Sequence, residues 1–153
     1  MEHLDRRDLF AVASAFAAFG ALAGAAQAKE SATAELAVSK VYSYDSLPVT
    51  NLPTGSTMRR VVSGTLPTGE FIEIHETVLP AGKMPHPPHK HPNTEMLFIQ
   101  SGRLEYLDVD KPINIGPGDV VFSASNVIHG LKNIGDTPAT YIVVSIGKQL
   151  PEG

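Results

Sequence analysis

From residue 57 to residue 146 the apolar positions come in short runs, and turn-forming residues separate one run from the next. Thr57 to Leu66 reads as a strand closed by Pro67-Thr68-Gly69. Glu70 to Leu79 is rich in β-branched and aromatic residues and ends at Pro80-Ala81-Gly82. Glu95 to Gln100 ends at Ser101-Gly102, and Arg103 to Val109 ends at Asp110-Lys111-Pro112. Ile113 to Ile115 is brief. Gly116-Pro117-Gly118-Asp119 makes a tight turn before Val120 to Phe122. Ser123 to Asn126 turns again, and Ile128 to Ile134 and Ala139 to Ile146 complete the series. Strands of this length, with regular turns and no helical period, predict a single all-β domain, a sandwich or barrel.

The stretch before it follows other rules. In residues 1–28, Arg6-Arg7 precedes an alanine-rich apolar run from Ala11 to Ala26, and Ala26-Gln27-Ala28 fits a small-x-small cleavage site. This predicts a signal peptide and a periplasmic or secreted protein with no stable membrane anchor after cleavage. The run is too weakly apolar for a span. The paired arginines favour twin-arginine export over an ordinary secretory route, although Asp5 and Leu9 depart from the usual pattern. That route carries folded proteins, so a metal taken up before export would escape the competition in which zinc or copper wins. Residues 29–55 read as an N-terminal arm, with Tyr42, Tyr44, Leu47 and Leu52 suited to lie across the barrel or a neighbouring subunit. Pro48 and Pro53 argue against a long regular element there. The barrel itself is expected over residues 56–148.

Composition narrows the partners. The net charge is −4 and cysteine is absent. Without a basic patch no nucleic acid partner is expected. Without cysteine neither disulfides nor thiolate chemistry is available. The expected partners are a small-molecule ligand and a second copy of the chain, since a homodimer would cover exposed strand edges.

Candidate chemistry concentrates in residues 82–102. His89, His91 and Glu95 share one parity, and in an extended chain residues two and four apart share a face. Two imidazoles and a carboxylate suit one divalent metal ion, iron, manganese, nickel, cobalt or zinc. His129 is the candidate fourth ligand, in the stretch Gly116 to Asn133. Scattered surface or core histidines are the ordinary alternative for a chain with six of them.

The two stretches resemble the paired motifs of the cupin superfamily. The first is Gly82, His89-Lys90-His91, Glu95 and then Gly102; the second is Pro117-Gly118-Asp119, His129 and Asn133. The spacer after Gly82 is one residue longer than the commonest form. Ala124-Ser125-Asn126 replaces a Pro-x-Gly turn, where Asn tolerates the left-handed backbone that Gly would supply. The resemblance covers residues 58 to 147. It implies a double-stranded β-helix, the jelly-roll barrel, with His89, His91, Glu95 and His129 on the metal. It also implies chemistry from the range of single-domain cupins: dioxygenases, isomerases, decarboxylases and lyases.

Other residues stay open. His86 has the opposite parity, among Pro85, Pro87 and Pro88, and reads as a loop group at the mouth rather than a ligand. Glu73, His75 and Thr77 share a face that is either inward, lining a pocket, or outward. Tyr106 is a lining residue or core, and Asn133 a turn hydrogen bonder. Three functions remain: a metal-dependent enzyme with dioxygenase-like chemistry favoured, a non-catalytic small-ligand or metal-binding module, and a structural barrel.

Overall fold

The computed structural model describes residues 36–107 and 111–148. Nine strands form two antiparallel sheets: β1 Val49–Asn51, β2 Thr57–Thr65, β3 Phe71–Leu79, β4 Thr94–Ser101, β5 Leu104–Leu107, β6 Pro112–Ile115, β7 Val120–Ser123, β8 Gly130–Asn133 and β9 Ala139–Gly147. One sheet has the order β1-β2-β3-β9-β4-β7 and the other β6-β5-β8. This is the predicted jelly-roll barrel. β9, the last strand, pairs with both β3 and β4 in the middle of the larger sheet, so the barrel closes only when the end of the domain arrives.

Side-chain alternation decides what faces inward. On β9 Ala139, Tyr141, Val143 and Ser145 are buried and the residues between them are half-buried. On β3 the inward row is Phe71, Glu73, His75, Thr77 and Leu79, because Thr77 pairs with Tyr141 and His75 with Val143. The face that sequence left undecided is therefore the inner one. Leu79, Leu97, Ile99, Leu104, Tyr106, Val121, Leu131, Ala139, Tyr141 and Val143 make one continuous core. Each fully buried leucine contributes roughly 1.5–3 kcal/mol by leaving water.

Two turns show why particular residues stand where they do. Gly102 has φ 90°, and a Cβ there would collide with Ala139. Asn126 has φ 60° and is the non-glycine residue with positive φ among those described. It takes the left-handed place expected of it. Its backbone N–H donates to His91 O at 2.8 Å, and Ser125 Oγ donates to Pro92 O at 2.6 Å. The turn thus ties the His91 loop to the segment that leads to His129.

Two expectations need adjusting. His129 does not lie within the eighth strand, which is Gly130–Asn133. It precedes it in an isolated bridge with His89. The arm is not wholly irregular: a 3₁₀ turn at Tyr44–Ser46 and β1 lie within it. β1 is three residues long between Pro48 and Pro53, which is as much strand as the two prolines leave room for. Residues 1–28 fall outside the described residues, as does the predicted end of the fourth sequence strand at Val109.

Candidate metal centre

Three backbone devices bring the histidines together. His89 and His129 exchange both hydrogen bonds, each N···O 2.9 Å, so their side chains leave the same side of a two-strand bridge. His91 follows two residues after His89 on the same parity and is buried. Glu95 lies at the start of β4, paired with Ser145 on one side and Ser123 on the other. Ligand atoms of His89, His91 and His129 all lie within 4.8 Å of one another.

The hydrogen bonds fix the rings. His91 Nδ1 is 2.9 Å from Asn93 O, and His129 Nδ1 is 2.9 Å from Val127 O. A carbonyl oxygen only accepts, so both Nδ1 atoms carry the hydrogen and donate. In the neutral ring the lone pair is then on Nε2. Both Nε2 atoms face one carboxylate: His91 Nε2 is 3.5 Å from Glu95 Oε2, and His129 Nε2 is 3.7 Å from Glu95 Oε1. His129 Nε2 and His89 Nδ1 are buried without a hydrogen-bond partner. Two lone pairs aimed at an anion repel it unless a cation stands between. Anchoring Nδ1 on a carbonyl is also how metal-binding histidines are commonly held. The donors fit a divalent ion.

Electrostatics point the same way at His89. Loss of water, and then the neighbouring His86, His129 and His91, hold its pKa down at about 4. The ring is neutral at neutral pH and has no proton to give up before binding a cation.

Beside this cluster a cavity of about 240 Å³ runs into the barrel. Glu95 and His129 line one end. Met58, Leu97, Leu131 and Val143 line the walls, with His75, Thr77, Tyr106 and Tyr141 among them. His75 has its pKa lowered, chiefly by burial, against a raising effect from Glu73. Its Nδ1 is buried, unbonded and 3.7 Å from Glu73 Oε1, while Arg60 Nη2 is 3.3 Å from the same oxygen. Burial pushes the Tyr141 phenol up, against a lowering bond from Thr77, so it stays a protonated donor.

The structure thus brings His89, His91, Glu95 and His129 to one point. His75 is on the cavity wall and His86 at its mouth, with its ring edge-on to His89 at 4.2 Å. Tyr106 is both core and lining, its hydroxyl 2.8 Å from Ser123 Oγ. Asn133 is fully buried and clamps turns: Nδ2 donates to Leu79 O and Thr137 O, and Oδ1 accepts from Gly135 N–H, each at 2.9 Å. Sequence reasoning missed Tyr141, Asn93 and the lining role of Leu52. Odd parity on β9 was the available signal for Tyr141. Asn93 had none, because its place depends on Ser145, which accepts from Nδ2 at 3.3 Å from across the sheet.

Residues 75–145 match the Cupin_2 family, a cupin domain, and that stretch holds all four converging residues. A relative, germin-like protein 5-1 of rice, is 36% identical over 72 residues, which is 43% of this chain and 32% of that protein. The match therefore spans about a third of that curated relative's length. Among solved structures, an RmlC-like cupin from Shewanella frigidimarina is similar with TM-score 0.62 and 12% identity, covering 73% of this chain and 94% of that one. A structure described as a predicted oxalate decarboxylase of Thermotoga maritima has TM-score 0.59 and 21% identity, covering 71% and 99%. A sugar phosphate isomerase of the cupin superfamily from Silicibacter pomeroyi has TM-score 0.57 and 20% identity, covering 69% and 74%. At these identities the likeness to solved structures is one of fold.

Proposed function

We propose that this cupin domain holds one divalent metal ion through His89, His91, Glu95 and His129, and uses it to bind and act on a small oxygen-bearing molecule. The observation that carries this is the convergence of two Nε2 lone pairs on the Glu95 carboxylate, with Nδ1 of each ring already committed to a backbone carbonyl. A bound divalent ion would supply Lewis-acid polarisation of an oxygen or a position for dioxygen. The chain's own residues do the rest. The apolar walls exclude water from the cavity. The protonated Tyr141 hydroxyl donates to an oxygen of the substrate, and the His75 ring, neutral through burial, accepts or returns a proton on the wall. Dioxygenase-like chemistry is the enzymatic form favoured. A non-catalytic small-ligand or metal-binding cupin module is the alternative. Titration of metal-free full chain with zinc or manganese tests the metal reading: one equivalent per chain supports it, and no uptake refutes it.

A second copy of the chain is the partner proposed for the outer face of the six-stranded sheet. Phe98 on β4 pairs with Val120 on the edge strand β7, and Met96 with Phe122, which is 67% exposed. Ile142, Val144 and Ile146 of β9 continue the same face. The rows of β4, β7 and β9 carry no charge, and charge enters only in the adjoining rows, where Glu76 of β3 lies opposite Ile142 and Arg59 of β2 opposite Glu76; the neutral part suits a face of the same kind, as in an isologous dimer. Phe122→Glu should give a monomer mass by light scattering, against a dimer for the parent chain; a monomeric parent would refute the pairing. Export is likewise proposed, from residues 1–28 alone. Among the described residues no helix is long and apolar enough to cross a membrane. Replacing Arg6 and Arg7 with lysine should leave folded precursor inside the cell, and unchanged export would exclude the twin-arginine route.

A further inference from the structure

The charge of the cavity wall says what the site admits. Among the described residues lining it there is no lysine or arginine. Arg60, which shares the inner side of the sheet through its pairing with His75, is half-exposed and turned to Glu73 instead. Beyond the histidines the walls are Leu52, Met58, Leu97, Leu131 and Val143, with the neutral hydroxyls of Thr77, Tyr106 and Tyr141. An anionic group pressed against such walls loses its water and meets no cationic side chain there; the one cation it could reach is the metal ion proposed at Glu95 and His129.

Size sets the second limit. An apolar cavity of ~150 Å³ accepts benzene. The space here is about 240 Å³, room for one ring with small substituents. Among the lining residues, Glu95 and His129 also belong to the converging cluster, and the apolar lining comes from Leu97 on β4, Leu131 on β8 and Val143 on β9, with Met58 and Leu52.

We infer that the cavity selects a compact molecule of about one substituted ring whose body is uncharged and largely apolar, with an oxygen group directed to Glu95 and His129. Charge on the part of the molecule that lies against the walls is rejected. The inference rests on the metal reading only for which end of the ligand meets the histidines. The walls act whether or not a metal is bound.

A matched pair of probes tests it. 4-Methylphenol and 4-hydroxybenzoate share a ring and a hydroxyl and differ in the charge at the far end. With metal-free full chain in a calorimetric titration, 4-methylphenol should bind at least tenfold tighter than 4-hydroxybenzoate. Met58→Arg puts a cation on the wall from a half-buried position on β2 and should narrow the gap at least fivefold. Leu52→Arg does the same from the arm if Met58→Arg fails to fold. Metal-free wild-type protein that binds 4-hydroxybenzoate as tightly as 4-methylphenol overturns the inference. A zinc titration of the same protein separates the two claims. Uptake of one equivalent with the anion preferred by metal-free protein sinks the cavity inference alone. No uptake sinks the metal reading and leaves the ranking on metal-free protein to decide the cavity.

Discussion

The two ends of the cavity are built by opposite rules. At the mouth end, His89, His91 and His129 come from loop and bridge backbone, held by carbonyls and by one two-way bridge. At the inner end, Leu97, Leu131 and Val143 come from the interiors of β4, β8 and β9, held by packing alone. The first end keeps polar atoms buried without partners; the second has none to satisfy. Buried donors or acceptors left unpaired oppose folding. The mouth end therefore spends stability that the inner end supplies, which is the arrangement expected where a ligand completes the site. Damage to each end should have a different signature.

The largest effect on binding is expected from His91→Ala and His129→Ala. Each removes a ring already locked by its Nδ1 bond. Competition titration should show metal affinity falling by more than the roughly 10–100-fold typical of losing only an outer hydrogen-bond partner. The fold should persist.

Leu97→Ala attacks the other end. It should cost about 2–5 kcal/mol in chemical denaturation, with one metal equivalent still bound. Loss of metal at unchanged stability would erase the contrast between the ends.

Asn133→Ala should act on stability alone. It strands Leu79 O, Thr137 O and Gly135 N–H, and leaving buried groups unpaired costs about 1–3 kcal/mol each at most. A changed metal affinity with unchanged stability would move Asn133 from clamp to site.

Acid should weaken the metal-free protein in a defined window. The ordinary histidine value is ~6.5, and folding holds His89 at about 4. Above ~6.5 the ring is neutral folded or unfolded and contributes nothing to pH dependence. As pH falls below that, the unfolded chain takes up a proton that the folded protein refuses until about 4, so stability declines across this range. His75, lowered by burial, adds in the same direction. Melting temperature followed from pH 7 to pH 4 checks it; a flat profile contradicts it. The smallest effect is expected from His86→Ala, whose exposed ring touches His89 but is not among the converging donors. Metal stoichiometry should not change.

Much of this was legible in the residues. The strands follow from apolar runs cut by Pro and Gly. His89, His91 and Glu95 meet as their parity suggested, although the backbone bends at Pro92-Asn93, because the His89–His129 bridge and the pairing of β4 hold the two sides of that bend. The left-handed turn at Asn126 could be named because so few residues adopt it. What could not be read depends on pairing across the sheet. The inward side of β3 is decided by its register with β9, and a shift of one residue would send His75 outward. Asn93 and Tyr141 owe their roles to Ser145 and Thr77, distant in sequence. The bridge that places His129 beside His89 is an isolated pair, invisible to any strand pattern.

The central claim is that four named side chains, and not the other histidines near them, hold one metal ion. Elemental analysis of wild type, His89→Ala, His91→Ala, Glu95→Gln and His86→Ala, purified side by side, tests it most directly. The account predicts one equivalent in wild type and His86→Ala, most of the metal gone from the two ligand-histidine variants, and a smaller loss in Glu95→Gln. Full metal in His89→Ala and His91→Ala, with loss in His86→Ala, would contradict it.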